Sequence, residues 1–566
     1  MDLNVVAAGE AGQGLQTVNQ IISKALFRMG FSVFSSKDYM SRIRGGHNFM
    51  RIRMADEEIS SPREDIDVLI ALNEESLDIH SGDVNEGGVI LYDGEADKVD
   101  RSDFEIKNIP AGEIASEVNP RAANTVFLGA LWRLLDLDTD CLQEVIKERF
   151  SDTGVQEDNL NLLERGGQEI KPEFQIEKPP ADSSDKMMIN GNQSIGLGAA
   201  MAGVQFYSAY PMTPSTGILN YLAYRQQELG IAVEQAEDEI AAINMALGAS
   251  YAGVRAMTGT SGGGFSLMAE GYGLAGIMET PIVIAEVQRP GPATGLPTRT
   301  EQADLSFIIN AHQGEFPLMV IAPRDPEEAF YETVRAFNLA EKYQIPVVLL
   351  SDQFLADSQR DVEEFDPEKV EIERHLVSGS KWPEDREYKR YEITENGISP
   401  RAYPGQLPGE VVLQDSDEHD ERGFIVESAE KRKEMVDKRM EKLTQLKRSD
   451  VKEPDYYGPE RPEYLLMGWG STHGPLKEAQ KRLLAEDVSI GLLSFSDVWP
   501  LPQAELEKNR CYNTVLVSIE NNATGQFADL VNSETGLTVD NRVLKYDGRP
   551  FTGQEIYRRL KKEVIV

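Results

Sequence analysis

The stretch VEQAEDEIAAINMALGASYAGVRAMTGTSGGG, Val233–Gly264, decides how this chain is read. It runs from a strand end through an acidic triplet into a helix built almost wholly of small and apolar residues, then a second strand and a glycine-rich turn. That order is a β-α-β crossover, the unit of a parallel sheet. Glu237, Asp238 and Glu239 stand at the mouth of the helix. Carboxylates there cap the first amides and oppose the helix dipole, so an acidic helix start is one reading. A carboxylate held for chemistry beside a smooth helix is the other.

The surrounding composition limits the answer. With 566 residues the chain is long enough for three or four domains, and its 40% hydrophobic content supports folded cores without disulfides. Lys and Arg number 57 against 95 Asp and Glu, a net charge of −38 that repels nucleic-acid phosphates. Only Cys141 and Cys511 are present, too few for a disulfide framework or a four-cysteine iron–sulfur cluster. No apolar run reaches membrane-spanning length and the start, MDLNVVAAGEAGQG, lacks a signal-peptide pattern, so a cytoplasmic protein without membrane contact is expected.

Outward from the opening stretch, the pattern predicts three α/β domains. Residues 1–170 open with LNVVAAGEAGQGLQTVNQIISKALFRMGFSVFSS, a strand, glycine turn, helix and strand, and are expected to form a mainly parallel sheet. Residues 171–187 are polar and proline-bearing and read as a linker. A second α/β domain spans 188–357. Residues 358–462 are charged and irregular and read as a solvated insertion or connector with one helix at ESAEKRKEMVDKRMEKLTQLKR. A compact third α/β domain fills 463–566.

Several motifs sit where strands end. GEAGQG holds Gly12, Gln13 and Gly14 between a strand and a helix, where backbone amides can cradle an anion; a plain tight turn is the alternative. Its glycine order differs from the dinucleotide fingerprint. SRIRGGHN sets Arg42 and Arg44 beside two glycines, as a second phosphate-binding lobe or as surface arginines. AYPMTPSTG carries Tyr210, Pro211 and a Thr213 flanked by prolines, which restrict where its hydroxyl points. QRPGPATGLPTRTEQ puts Arg289 just past the apolar strand PIVIAEV, a place suited to a ligand carboxylate or to an inter-domain salt bridge.

Taken in order, GEAGQG, SRIRGGHN, YPMTPST, EDEIAAINMALGASYAG, TSGGG, QRPGPATGLPT, PVVLLSD and ENNATGQ resemble the 2-oxoacid:ferredoxin oxidoreductases, in the form with a gamma domain fused ahead of the alpha subunit. The resemblance covers nearly the whole chain and is weakest from 358 to 462. It implies a CoA-associated gamma domain, a domain like the pyrimidine-binding domain of thiamine diphosphate enzymes, and a transketolase C-terminal-like domain of architectural role. In the family a glutamate at the start of the small-residue helix hydrogen-bonds N1′ of the aminopyrimidine and so activates the thiazolium, and the helix is smooth because the ring lies close to it. Glutamate followed nine residues later by Gly-Ala fits Glu239 with Gly248 and Ala249; Glu237 is the competitor. Arg289 is then expected at the substrate carboxylate, Thr213 near the reacting carbon, Tyr210 and Pro211 at the cofactor, and Gly12, Gln13, Gly14 and Arg44 at CoA.

No G-D-G occurs in the chain, so the resemblance also implies a beta subunit supplying the diphosphate and Mg²⁺ site and a [4Fe–4S] cluster, with ferredoxin as electron acceptor and an (alpha-beta)₂ heterotetramer. The fused arrangement points to 2-oxoglutarate as substrate, with Arg299 as a candidate cation for its distal carboxylate; pyruvate or a branched-chain 2-oxoacid is the alternative. A non-catalytic nucleotide-binding protein would keep GEAGQG without needing Glu239, Thr213 and Arg289. A nicotinamide dehydrogenase is disfavoured by the glycine order, with Asp38 as the nearest ribose-binding acid.

Overall fold

The computed structural model describes residues 1–42, 45–94, 103–177, 179, 183, 185–378, 382–383 and 386–565. They form two compact units, Met1–Ile189 with Asp357–Glu364 and Thr552–Glu555, and Asn190–Ala356 with Phe365–Phe551 and Ile556–Val566.

The first unit is organised by an eight-stranded sheet in the order Glu105–Asn108, Val84–Tyr92, Ile66–Ala71, Asp2–Glu10, His47–Ala55, Ser32–Asp38, Gln359–Glu363 and Lys186–Asn190. Its first four strands are parallel. His47–Ala55 runs antiparallel to both Asp2–Glu10 and Ser32–Asp38, which corrects the mainly parallel sheet expected from sequence. The reason is the short connection through SRIRGGHN, which can turn a strand back but cannot make the longer crossover a parallel neighbour needs. Gln359–Glu363 and Lys186–Asn190 also enter this sheet, although the sequence pattern places them in the connector and the second domain. Asp361 fixes the first of these by accepting from Ser32 Oγ and Val33 N, each at 2.8 Å.

The second unit carries two sheets. Seven strands run Asp497–Trp499, Met319–Ile321, Pro346–Asp352, Ile282–Gln288, Arg255–Thr260, Val204–Ala209 and Ala232–Gln235, all parallel except the first pair. IVIAEVQ and PVVLLSD are buried along their whole length, as central parallel strands covered on both faces must be. The five-stranded sheet runs Asp455–Tyr457, Ile490–Phe495, Tyr464–Trp469, Val515–Glu520 and Asn541–Leu544. Three α/β sheets thus match the expected fold class.

The connector is not merely solvated. Helix Ala429–Ser449 buries Met435, Lys438, Arg439, Lys442 and Leu446. Lys438 Nζ donates to Glu279 Oε1 at 2.6 Å, and Lys442 pairs with the other oxygen of the same buried carboxylate. Arg374 and Arg401 from the connector join Arg255 on the buried carboxylate of Glu341. Charge runs there are ion-pair partners for two acids inside the second unit, which composition alone could not reveal.

Candidate functional site

The strand order of the second unit brings three strand ends side by side. Val204–Ala209 delivers Tyr210, Pro211 and Thr213; Arg255–Thr260 delivers Thr260 and Ser261; Ile282–Gln288 delivers Arg289. The carboxyl ends of parallel strands are where open α/β sheets bind ligands.

Helix Glu239–Tyr251 begins behind this edge. Its N-cap is Asp238, whose Oδ1 accepts from Ala241 N at 2.7 Å, so capping is done by the middle acid of the triplet. Glu237 is exposed, whereas Glu239 is 3% exposed and its Oε1 is buried with no hydrogen-bond partner among the described residues. An orphaned carboxylate oxygen is costly unless a ligand completes it. Gly264, in the third position of helix Gly262–Ile277, makes the room: a Cβ there would lie 2.2 Å from Thr260 Oγ1 and 2.4 Å from Glu239 Oε1. A buried carboxylate with an unpartnered oxygen, packed against a glycine, has the acceptor that the N1′–H of an aminopyrimidine would need.

Arg289 is half-buried and donates from Nη1 to the carbonyl oxygen of Thr213 at 2.7 Å. The two residues are therefore brought together, 76 positions apart in the chain. The guanidinium makes no ion pair among the described residues, so the inter-domain salt bridge is not formed and the rest of its fork is available to an anion. Burial lowers the pKa of Arg289, and Asp304 opposes that shift. Tyr210 is 40% exposed at the same edge, and residues 291–296 beyond Arg289 are exposed. Arg299 packs over Gly548, where a Cβ would approach its own Cβ to 3.2 Å.

Three acids on strand Ile282–Gln288 and the loop that follows it were not singled out by motif. Glu286 is fully buried, and burial together with Asp304 and Asp352 holds its carboxyl well above the usual carboxylate range. Burial pushes Asp304 up to about 6 and Glu301 up to about 7. The visible trace of Glu286 is an acid interrupting the apolar strand PIVIAEVQ.

In the first unit, the GEAGQG loop closes with Gln13 N donating to Glu10 O at 3.2 Å, while the Gln13 side chain accepts from Glu10 N at 2.6 Å. Gln13 Oε1 is thereby committed to the turn itself. Gly12 and Gly14 have φ of 97° and 76°, values that favour glycine, and Gly14 is the N-cap of helix Leu15–Arg28. Gly14 also lines a cavity of about 570 Å³ between that helix and the start of helix Ala123–Leu134, with Thr17, Asn119, Arg121, Asn124 and Asn159 among its walls. Asn124 Nδ2 donates to Gln13 O and ties the two sides together. The run NPRAAN, 119–124, is the sequence trace of this second wall. Arg42 is exposed, and Arg44 lies outside the described residues.

Residues 197–438 match the family described as pyruvate flavodoxin/ferredoxin oxidoreductase, thiamine diphosphate-binding, and residues 4–169 match pyruvate ferredoxin/flavodoxin oxidoreductase. The 2-oxoacid:ferredoxin oxidoreductase subunit alpha of a Sulfolobus species is 33% identical over 626 positions, which cover 100% of this chain and 97% of that protein. The chain belongs to the alpha subunits of the 2-oxoacid:ferredoxin oxidoreductases. This alpha subunit is also 28% identical to the 2-oxoglutarate oxidoreductase subunit KorA of Mycobacterium tuberculosis, over 98% of the chain and 90% of KorA. Its fold matches the 2-oxoglutarate:ferredoxin oxidoreductase of Magnetococcus marinus, solved with 2-oxoglutarate, coenzyme A and succinyl-CoA bound. The TM-score is 0.92, with 33% identity and 99% of each chain covered. No described helix of the alpha subunit is long and apolar enough to cross a membrane.

Proposed function

We propose that the chain is the alpha subunit of a CoA-dependent 2-oxoglutarate:ferredoxin oxidoreductase, with Glu239 as the residue that holds N1′ of thiamine diphosphate. The observation that carries this reading is the buried, unpartnered Oε1 of Glu239 facing Gly264, in a chain whose relatives include 2-oxoglutarate enzymes. Thiamine diphosphate, when bound, supplies the carbon nucleophile for the 2-oxo carbon and accepts the electrons left when carbon dioxide departs. Glu239 keeps a carboxylate against the ring nitrogen, and Gly264 leaves space for that contact. Arg289 binds the substrate carboxylate through N–H groups not used by Thr213 O, and the Thr213 hydroxyl lies at the oxo group. Tyr210 and Pro211 line the cofactor side of the same strand edge.

The cavity beside Gly14 is of the size ligand pockets have and lies at two helix starts with Arg121 at its rim, so it takes part of CoA. Gly12 and Gly14 supply backbone there; Arg44 is retained as a contact from the family pattern. Ferredoxin accepts the electrons through a [4Fe–4S] cluster in a beta subunit, which also supplies Mg²⁺ and the diphosphate site, in an (alpha-beta)₂ assembly within the cytoplasm. The outward apolar side chains of Ile240, Met245 and Leu267, 52%, 42% and 50% exposed on helices Glu239–Tyr251 and Gly262–Ile277, support a covering subunit. The three-domain division, 1–170, 188–357 and 463–566 with linkers between, is kept as the functional partition.

The test is co-expression with the beta subunit, followed by CoA-dependent viologen reduction with 2-oxoglutarate, pyruvate and 2-oxoisovalerate. Fastest reduction with 2-oxoglutarate is expected. A preference for either other acid would correct the substrate, and no reduction with any would sink the reading. The chain purified alone should be colourless, and a stoichiometric iron–sulfur absorbance would contradict the cluster's place in the partner.

A further inference from the structure

The turn that carries Thr213 is tied down at three consecutive carbonyls. Met212 O accepts from Thr216 N at 3.1 Å and from Ser215 Oγ at 2.7 Å. Thr213 O accepts from Arg289 Nη1 at 2.7 Å, and Pro214 O from Asn192 Nδ2 at 2.9 Å. Met212 O thus has two donors from its own turn, whereas each of the next two carbonyls has one donor among the described residues, a side chain from a distant part of the chain. The hydroxyl of Thr213 makes no hydrogen bond among the described residues, so the backbone of the turn sets where it stands.

Asn192 is firmly held for that contact. It stands in the first turn of helix Gly191–Met201, which the capping box of Asn190 and Gln193 closes with bonds of 2.9 Å and 3.2 Å. Gly191 lies so close to Leu355 that a Cβ there would come within 2.6 Å of the Leu355 carbonyl oxygen, which fixes the helix start against its neighbour. Asn192 is 3% exposed, and its carboxamide fits over Gly217, where a Cβ would lie 2.4 Å from Nδ2 and 2.9 Å from Cγ. Its Oδ1 is buried without a partner among the described residues. A buried idle acceptor is a cost that an apolar side chain would avoid, so the contact of Nδ2 with Pro214 O is what this side chain is there to make.

We infer that Asn192 is a positioning residue for oxoacid binding, which by holding Pro214 O fixes the Thr213 hydroxyl and, through Thr213 O, the guanidinium fork of Arg289. This rests on the reading of Thr213 and Arg289 as the groups that meet the substrate. The two held carbonyls belong to adjacent residues, and the planar peptide between them passes a shift of one to the other. Arg289 spends one N–H on Thr213 O, so the direction of its remaining N–H groups follows the turn. Glu239 stands on a different element, helix Glu239–Tyr251, so the hold on the turn bears on substrate affinity and not on cofactor activation.

The experiment is calorimetric titration of the assembled alpha–beta complex with N-oxalylglycine and with oxamate, unreactive 2-oxoacid analogues, beside C2 proton exchange of its thiamine diphosphate and thermal melting. Asn192→Ala should weaken analogue binding about tenfold, the size expected for one lost hydrogen bond, and leave C2 exchange within about threefold of wild type. Gly217→Ala, which keeps Asn192 but drives its carboxamide off Pro214 O, should do the same and serves if Asn192→Ala does not fold. Ser215→Ala is the control: Met212 O retains Thr216 N, so affinity should stay within about twofold of wild type. If Asn192 only supported the fold, its loss would lower the melting temperature while the folded complex bound the analogues as wild type does. That result, or C2 exchange lost in step with affinity, would overturn the inference alone when Arg289→Lys still weakens binding. Analogue binding that is indifferent to Arg289→Lys, or no binding of either analogue, would overturn the reading of Arg289 and the inference with it.

Discussion

Replacing Gly264 by alanine should disable the site through a single methyl group. The added Cβ would lie 2.4 Å from Glu239 Oε1 and 2.2 Å from Thr260 Oγ1, well inside van der Waals contact, so the Glu239 carboxylate must retreat by roughly 1 Å. A displacement of about that size at a positioned catalytic group costs on the order of 10²-fold in rate. Stability moves much less: overpacking costs about 1–3 kcal/mol, and removing a helix glycine returns about 0.5–1 kcal/mol. The neighbouring Gly263→Ala is the control. Its Cβ would sit 3.5 Å from Ala293 O, an ordinary contact in the same helical turn, so it should keep wild-type activity and melt no lower. The assay is C2 proton exchange of thiamine diphosphate in the assembled complex, beside oxoacid-dependent viologen reduction and thermal melting of each variant. Exchange in Gly264→Ala within about threefold of wild type would refute the placement of Glu239 at the ring.

Three further outcomes follow from the same geometry. Glu239→Gln should slow C2 exchange by roughly 10²-fold or more, while exposed Glu237→Gln leaves it near wild type; the reverse pattern would transfer the role to Glu237. Arg289→Lys replaces a fork already anchored on Thr213 O with a point charge, so KM for the preferred oxoacid should rise more than kcat falls, and an unchanged KM would remove Arg289 from the substrate site. Burial depresses Lys442 to about 7 from 10.5, so between those values the unfolded chain binds more protons and stability rises with pH, by at most about 1.4 kcal/mol per unit. Lys442→Met, which leaves Lys438 on Glu279, should flatten that rise in denaturant titrations at pH about 7 to 10, and an unaltered slope would mean that Lys442 does not titrate there.

Local pattern determined the fold class and the strand ends of this protein. Apolar runs such as PIVIAEV and PVVLLSD, glycine turns after strands, and the small-residue helix from Glu239 report short-range propensity and burial on both faces, which sequence carries directly. For the same reason Thr213, Glu239 and Arg289 were legible as residues at the mouths of elements. Which acid of the triplet turns inward was not: Asp238 caps, Glu237 stays in water and Glu239 is buried because of where Gly264 and Thr260 lie, on an element that only tertiary packing brings alongside. The antiparallel place of His47–Ala55 depends on long-range pairing, and the cavity beside Gly14 depends on NPRAAN folding back more than a hundred residues later. Glu286 and Asp304 illustrate the limit most plainly. In the sequence each is one acid among 95; that Glu286 is buried with neither oxygen hydrogen-bonded among the described residues, and that burial lifts the Asp304 carboxyl, is decided only once a strand and a loop have packed, because a carboxyl responds to its surroundings and not to its neighbours in the chain.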